Sequence, residues 1–415
     1  MQKDILDNIN NPPQLEQLYR RNPALFKTVF NSVYSNVQGD SVADCWFERL
    51  NYKQDESKAV NRNEILLVVI AAILAGFIAK LPAIFHLNEE NFFEKNLSFI
   101  VFPFLIAYFS WKEQLTLKRM SFPIIVVLVS VIYINLLPAV GKSDVLFLTT
   151  IHLPILQWIA LGFTFTGQDY KNPSLRINYL RFNGDFLVMT AVIMASCFIF
   201  TAITMGLFKM INIDIQEVYF QYIAVWGAVS IPLVATYLLQ NNPSMVNKVS
   251  PTIARIFTPL VLVLLLTYLI AVAYTGKDPY NDREFLLIFN VLLIAVMAII
   301  FFSIAEASQH TKKGFQLIML LLLSILTIVV NLVALSAIGF RILQWGFSPN
   351  RLAVLGSNLL IFVNLMRVSF QLLKSIRGNQ QIEDIENSIV SYLPVYGAWA
   401  VFVSFLFPLI FGIHR

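Results

Sequence analysis

Any chemistry in this sequence has to come from polar side chains set inside long apolar runs. The stretch Thr149-Thr150-Ile151-His152-Leu153-Pro154 is the first such place. A histidine can carry a proton near neutral pH. Pro154 has no N–H to offer the carbonyl of Thr150, so a helix here carries one free acceptor. At helical spacing Thr149 and His152 share a face, and Thr150, Pro154 and Gln157 share the next. The functional reading is a small polar cavity. The plainer one is a kinked helix whose polar groups serve its neighbours. Two later runs repeat the theme. Ser324, Thr327 and Asn331 fall on one stripe, and Ser357, Asn364, Arg367 and Gln371 on another. Such stripes either join helices by hydrogen bonds or line a water path. Thr149, Thr150, His152, Gln157, Asn331, Asn364 and Arg367 therefore form the candidate intramembrane polar site. Cys197, Thr201 and Thr204 also share a face, where small residues mark close helix packing. Lys80 is expected to reach for the outer interface, and Glu306 to meet water past the end of its run.

The segment Arg341-Ile342-Leu343-Gln344-Trp345-Gly346-Phe347-Ser348-Pro349-Asn350-Arg351 is the most motif-like stretch. Ser348-Pro349 is a helix-start signal, Gly346 permits a sharp turn, and Trp345 suits a membrane interface. Arg351 in a first helical turn opposes the helix dipole. It calls for a carboxylate or an anion, with Asp278, Asp282, Glu284 and Glu217 as candidate partners. Arg341, Trp345, Asn350 and Arg351 thus form a second candidate site, for an ion pair or an anionic headgroup. The acidic stretch 277–284 lacks the glycine turn and ligand spacing of a calcium loop. The four histidines are scattered and give no metal spacing. No phosphate loop, His-Glu-x-x-His or Gly-x-Ser-x-Gly elbow occurs. No metal or cofactor is therefore expected, nor a catalytic motif.

The elements that must position these residues are set by composition. Of 415 residues, 57% are hydrophobic and 13% charged, with a mean hydropathy of +0.67. That is too little charge to cover a soluble surface of this size, and the opposite of a disordered chain. Two cysteines, Cys45 and Cys197, give no disulfide framework. From Ile65 onward, apolar runs alternate with short polar breaks. A bilayer core of about 30 Å takes roughly 20 helical residues. The runs read as eleven spans over 65–85, 96–111, 122–140, 145–165, 185–208, 219–239, 256–273, 285–304, 315–338, 352–373 and 389–412. The expected fold is an all-α polytopic membrane bundle over 65–415, with residues 1–64 as a separate helical region.

Residues 1–64 hold 8 Lys/Arg and 9 Asp/Glu, like a soluble segment. Asn11-Pro12 and Asn22-Pro23 are helix starts. Leu25, Phe26, Val29, Phe30, Val33, Tyr34 and Val37 make a stripe, and Asp40 can cap a further helix carrying Val42, Trp46, Phe47 and Leu50. With this region inside, the inner loops carry 12 Lys/Arg and the outer ones 8. The positive-inside rule then puts the N-terminus in the cytoplasm and the C-terminus in the periplasm. The net charge of +5 is scattered at span ends, so it points to orientation and not to nucleic acid. The expected partners are membrane lipid, a small solute or ion, and a cytoplasmic protein at 1–64. The oligomeric state is open.

Arg341, Trp345-Gly346 and Ser348-Pro349-Asn350-Arg351 together resemble a bacterial multi-pass membrane family catalogued as domain of unknown function 4153. Phe347 and Ser348 stand where an aliphatic residue and Thr are usual. Leu15-Glu16-Gln17-Leu18-Tyr19-Arg20 is similar to N-terminal regions attached to such proteins in Bacteroidetes-type bacteria. The resemblance implies a bacterial inner-membrane protein and no particular activity. Three functions fit the residues. A secondary transporter or permease comes first, on the polar stripes. A non-transporting sensor or assembly protein using 1–64 is the second. The third is an intramembrane enzyme acting on a lipid-linked anion held by Arg341 and Arg351.

Overall fold

The computed structural model describes residues 1–51, 61–138, 143–210, 213–242, 249–275, 280, 283–307, 314–378 and 382–412. Among these there is no strand. The chain divides into two compact units, Met1–Arg62 and Asn63–Arg415.

The first unit contains α1 (Gln2–Asp7), α2 (Pro12–Arg21), α3 (Pro23–Val33) and α4 (Ser41–Asn51). Asn11 precedes Pro12 at the start of α2 without a side-chain cap hydrogen bond, while the other two start signals act as caps. Asn22 Oδ1 accepts from the Leu25 N–H at 3.1 Å, and Asp40 Oδ1 accepts from the Val42 and Ala43 N–H groups at 2.9 and 3.1 Å. The α3 stripe turns Phe26, Phe30 and Val33 inward against Ile5, Leu15, Trp46 and Leu50. Tyr34 stacks on Phe47 with ring centroids 3.8 Å apart. Tyr34 also donates to Asp44, and that carboxylate pushes the phenol pKa up. The region therefore packs on itself. Leu25 is the member of the stripe left outside, 48% exposed.

The second unit is a helix bundle. Among the described residues, ten helices are long and apolar enough to cross a membrane: Arg62–Phe85, Glu89–Lys112, Leu117–Leu136, Asp144–Phe165, Pro173–Gly206, Gln216–Asn241, Ile288–Glu306, Gly314–Trp345, Pro349–Ile376 and Ile382–Phe411. These match ten of the eleven sequence spans. The seventh lies in the helix Val249–Thr275, whose described part is apolar over Ile256–Thr267. The spans are numbered one to eleven below in chain order. Exposed Leu, Ile, Val and Phe cover the outside of the unit, as a lipid-facing surface requires.

Several boundaries differ from the sequence reading for physical reasons. Span one ends at Phe85 as read, with Pro82 inside the helix, but starts three residues earlier, at Arg62. Span two starts earlier, at a polar turn where Asn88 caps the Asn91 N–H at 2.8 Å. Lys95 is buried there, not in an outer loop, and its Nζ donates to the Leu137 carbonyl at 2.7 Å. It closes the C-terminal end of span three, where basic groups satisfy free carbonyls. Span five belongs to a 38-residue helix, Pro173–Met210, about 57 Å long at 1.5 Å per residue. Arg176, Arg181 and Asp185 ride on its first turns and not in a loop. Cys197 is exposed, so no neighbouring helix covers it, whereas Thr201 on the same face meets the Tyr219 hydroxyl of span six at 2.8 Å. Span eleven is broken by a π-helical turn at Phe402–Leu406. The turn releases carbonyls that Thr149 and Tyr133 then satisfy, at Ser404 and Phe405 respectively.

Small residues let spans approach. An ideal Cβ on Gly356 of span ten comes within 2.0 Å of the Trp399 ring of span eleven, and one on Gly184 within 2.0 Å of the Phe302 ring. Close packing of this kind replaces the hydrophobic effect inside a bilayer, where lipid is as apolar as the side chains.

Candidate functional site

The two halves of the intramembrane polar site lie on different spans and use different neighbours. In span four, Thr149 Oγ1 bonds to Val145 O at 3.0 Å and to Ser404 O at 3.4 Å. Thr150 Oγ1 returns to Phe147 O at 2.8 Å. His152 Nδ1 lies 2.8 Å from Leu148 O, which makes Nδ1 the protonated nitrogen in that contact. Gln157 Nε2 donates to Ser98 Oγ of span two at 2.9 Å. Thr149 and Gln157 have no accessible surface, and His152 has 7%.

Spans eight to eleven are tied by a second set. Asn331 Nδ2 donates to Asn358 O at 3.1 Å, and Asn358 Nδ2 donates to Asn290 Oδ1 at 2.8 Å. Asn364 Nδ2 donates to the Tyr396 hydroxyl at 2.9 Å. Ser369 donates to Ser324 at 2.9 Å, and Trp399 Nε1 to Ser357 Oγ at 3.0 Å. Arg367, exposed and nine residues before the end of the helix Pro349–Ile376, donates to Ser391 Oγ at 3.0 Å and lies over the Tyr392 ring. Asn331, Asn364, Thr327 and Ser324 are 0% exposed. A side chain with no accessible surface borders no space that a water molecule could occupy. In this conformation no water path touches Thr149, Gln157, Asn331 or Asn364.

The price is visible in three buried amide oxygens, Gln157 Oε1, Asn331 Oδ1 and Asn364 Oδ1, which have no hydrogen-bond partner. Each such orphan costs about 1–3 kcal/mol.

The second candidate site is a turn held by its own arginine. Gly346 takes φ +75°, and Ser348 Oγ accepts from the Arg351 N–H at 3.3 Å. The Arg351 guanidinium donates to Trp345 O and Gly346 O at 2.9 and 2.8 Å. The expected carboxylate partner is thus replaced by the carbonyl end of span nine, whose partial negative charge suits a cation. Of the four proposed acids, Glu217 accepts from Gln221; Asp278 and Asp282, and the Glu284 side chain, fall outside the described residues. Arg341 and Arg351 both lie over the Trp345 ring, at 5.5 and 5.7 Å. Asn350, in the first turn of span ten, is half-buried. Among the described residues no group of three His, Cys, Asp or Glu could hold a metal ion.

Two clusters escaped the sequence reading. Glu64, assigned there to the N-terminal region, is 5% exposed at the start of span one. Its Oε1 accepts from the Tyr108 hydroxyl at 2.5 Å, Asn241 Nδ2 at 3.0 Å and Lys112 Nζ at 3.1 Å. One carboxylate therefore clasps the ends of spans one, two and six. The available signal was a carboxylate and a lysine at the same end of adjacent apolar runs. Glu306 is the second case. It is buried beside Arg181 at 3.5 Å and not in open water, while Arg181 also donates to the Ala305 carbonyl. Lys80 likewise turns to the Tyr222 ring, 4.8 Å away, in a cation–π contact. Outside the spans, burial pushes the Glu113 carboxyl pKa up.

Fold and polar network together define an all-α, multi-pass membrane protein whose polar side chains join its helices. Compared with protein-family models, with curated proteins and with solved structures, the chain finds no match in any of the three.

Proposed function

We propose that this protein is a non-transporting sensor or assembly protein of a bacterial inner membrane, with its helical N-terminal unit in the cytoplasm and its C-terminus in the periplasm. The observation that carries the reading is the zero accessibility of Asn331, Asn364, Thr149 and Gln157. A transporter for a small polar solute needs a polar cavity near mid-depth, and these are the groups that would line one. The Lys/Arg asymmetry supports the orientation. Membership of the family catalogued as domain of unknown function 4153 is part of the proposal and rests on the Arg341–Arg351 motif.

The N-terminal unit offers a surface for a protein partner. A cleft of about 420 Å³ is lined by Pro12, Pro13, Glu16, Cys45, Trp46 and Arg49. Arg49 covers the Trp46 ring at 4.6 Å and pairs with Glu16 at 3.1 Å, leaving an apolar floor under a charged rim, as interfaces have. Cys45 is exposed at this cleft and serves as a native cross-linking handle. In a Cys197→Ser background, a photo-cross-linker on Cys45 in intact membranes should capture one protein, and Arg49→Glu should abolish the capture. Full function after deletion of 1–60, with no cross-link at Cys45, would overturn the proposal.

The permease reading keeps one observation of its own, the orphan oxygens on Gln157, Asn331 and Asn364. A second conformation that hydrated them would recover their hydrogen bonds. Thiol accessibility at those positions separates the two readings. The enzyme reading needs a carboxylate or histidine beside Arg341 and Arg351, and the described residues supply none there.

A further inference from the structure

Two cavities in the membrane unit join end to end between spans three, four and eleven. One, of about 230 Å³, is lined by Trp158, Gly162, Phe163, Tyr170, Arg176 and Leu393, among others. The next, of about 360 Å³, is lined by Ile125, Val129, Ser130, Leu156, Val401 and Phe405, among others. They share Phe122, Ile159 and Pro394. From Leu393 to Phe405 the groove follows twelve helical residues of span eleven, about 18 Å at 1.5 Å each. Half of a 30 Å hydrocarbon core is about 15 Å, so the groove has the depth of one leaflet's acyl chains. Its outer wall is incomplete, since Ile125, Val129 and Val401 are exposed. In a bilayer a chain can enter sideways.

The mouth of the groove is cationic. Arg176 donates through Nε to Tyr170 O at 2.8 Å and through Nη1 to Val390 O at 3.5 Å. Its Nη2 donates to no described residue. Arg119 donates to Gly167 O at 3.1 Å and lies over the Tyr170 ring at 5.5 Å. Lys171 approaches the same ring at 5.9 Å. Among the described residues none of these three cations forms an ion pair with a carboxylate. The acids nearby include Asp169, exposed on the same turn, Glu113, whose Oε2 packs against Gly167, and Glu386, buried one turn before Val390. Neutral carbonyls fix the direction of the guanidinium groups without cancelling their charge.

We infer that this groove is a binding site for an anionic glycerophospholipid, with one acyl chain between spans three, four and eleven and the phosphate headgroup at Arg119, Lys171 and Arg176. Charge and shape both favour that occupant. A free anion would leave the apolar trough unfilled, and a zwitterionic lipid would leave the positive charge at the mouth uncancelled. On the orientation proposed above, the mouth faces the cytoplasmic leaflet, where a basic residue near the surface attracts anionic lipid by about 1 kcal/mol.

The test uses the full chain in detergent, titrated with dioleoyl phosphatidylglycerol or dioleoyl phosphatidylcholine and read by native mass spectrometry. The expected result is one tightly retained phosphatidylglycerol and a clear preference over phosphatidylcholine. Arg119→Gln and Arg176→Gln should each lower phosphatidylglycerol affinity about fivefold and leave the weaker phosphatidylcholine binding unchanged. Val129→Trp, which fills the open side of the groove, should weaken both lipids. A thermal melt of each variant separates loss of the site from loss of the fold, and Leu128→Trp, on the same exposed helix, is the control for surface bulk. Unchanged lipid preference in the folded arginine variants would overturn the inference. So would retention of both lipids by folded Val129→Trp, or displacement of the bound phosphatidylglycerol by inorganic phosphate alone.

Discussion

Replacing Glu64 is the sharpest test of how the ends of the bundle are held. Its Oε1 is the shared acceptor for Tyr108, Asn241 and Lys112, and it is 5% exposed. Breaking a buried ion pair by removing one partner costs about 3–5 kcal/mol, mostly from the charge left behind. Lys112 keeps 21% of its side chain exposed, so it can turn partly toward water, and the expected loss for Glu64→Ala falls to about 2–3 kcal/mol. That is roughly a 30- to 150-fold change in the folding equilibrium. Glu64→Gln keeps an acceptor for Tyr108 and Asn241 and should cost about 1 kcal/mol. Glu64→Ala combined with Lys112→Met removes both charges, so the double variant should be more stable than the sum of the singles by about 1–2 kcal/mol. The assay is equilibrium unfolding in mixed micelles with increasing dodecyl sulfate, followed by circular dichroism. A Glu64→Ala protein within about 0.5 kcal/mol of the parent, or strict additivity in the double variant, would refute the clasp.

The helix contacts and the N-terminal unit give further expectations. Gly356→Leu drives a side chain into the Trp399 ring, where even a Cβ comes within 2.0 Å. It should lower the thermal midpoint by an amount matching about 1–3 kcal/mol, with Trp399→Leu partly restoring it. Residues 1–51 produced alone should melt cooperatively. Trp46→Ala should abolish that transition, because losing a buried Trp costs about 3–5 kcal/mol and a core this small has little more to lose. The Arg20 hydrogen bond holds the Glu16 carboxyl below its ordinary value. A depressed folded pKa adds stability above the unfolded pKa, and that stability is lost as pH falls through the folded one. The unit should therefore weaken below about pH 4, and Glu16→Gln should flatten that part of the profile.

The fold was legible because bilayer thickness sets run length. Every predicted span falls on a helix, and errors sit at the ends. There the deciding facts are non-local. Lys95 looks like a loop residue until the Leu137 carbonyl is known to be near, and Arg181 and Glu306 look solvated until spans five and eight are placed together. The local signals at Asn22, Asp40, Gly346 and Ser348 read correctly, since caps and turns depend on a few neighbouring residues. The candidate polar site was half legible. The stripes at Asn331 and Asn364 were visible from spacing, but whether a stripe faces water or another helix depends on which helix stands opposite, which one sequence does not encode locally. Glu64 was misassigned because it sits beside a charged segment, and its three donors lie 44 to 177 residues away along the chain.

The measurement that tests the account most directly is thiol accessibility at mid-depth. With Cys45 and Cys197 changed to Ser, single cysteines at Asn331, Asn364 and Thr149 are exposed, in open membrane fragments accessible from both faces, to a charged, membrane-impermeant thiosulfonate. A cysteine at the exposed Gln114 is the positive control. A closed bundle held by interhelical hydrogen bonds predicts modification at Gln114→Cys and none at the other three over the same time. Modification of Asn331→Cys and Asn364→Cys at rates close to the control would contradict it and reinstate a hydrated path through the membrane unit.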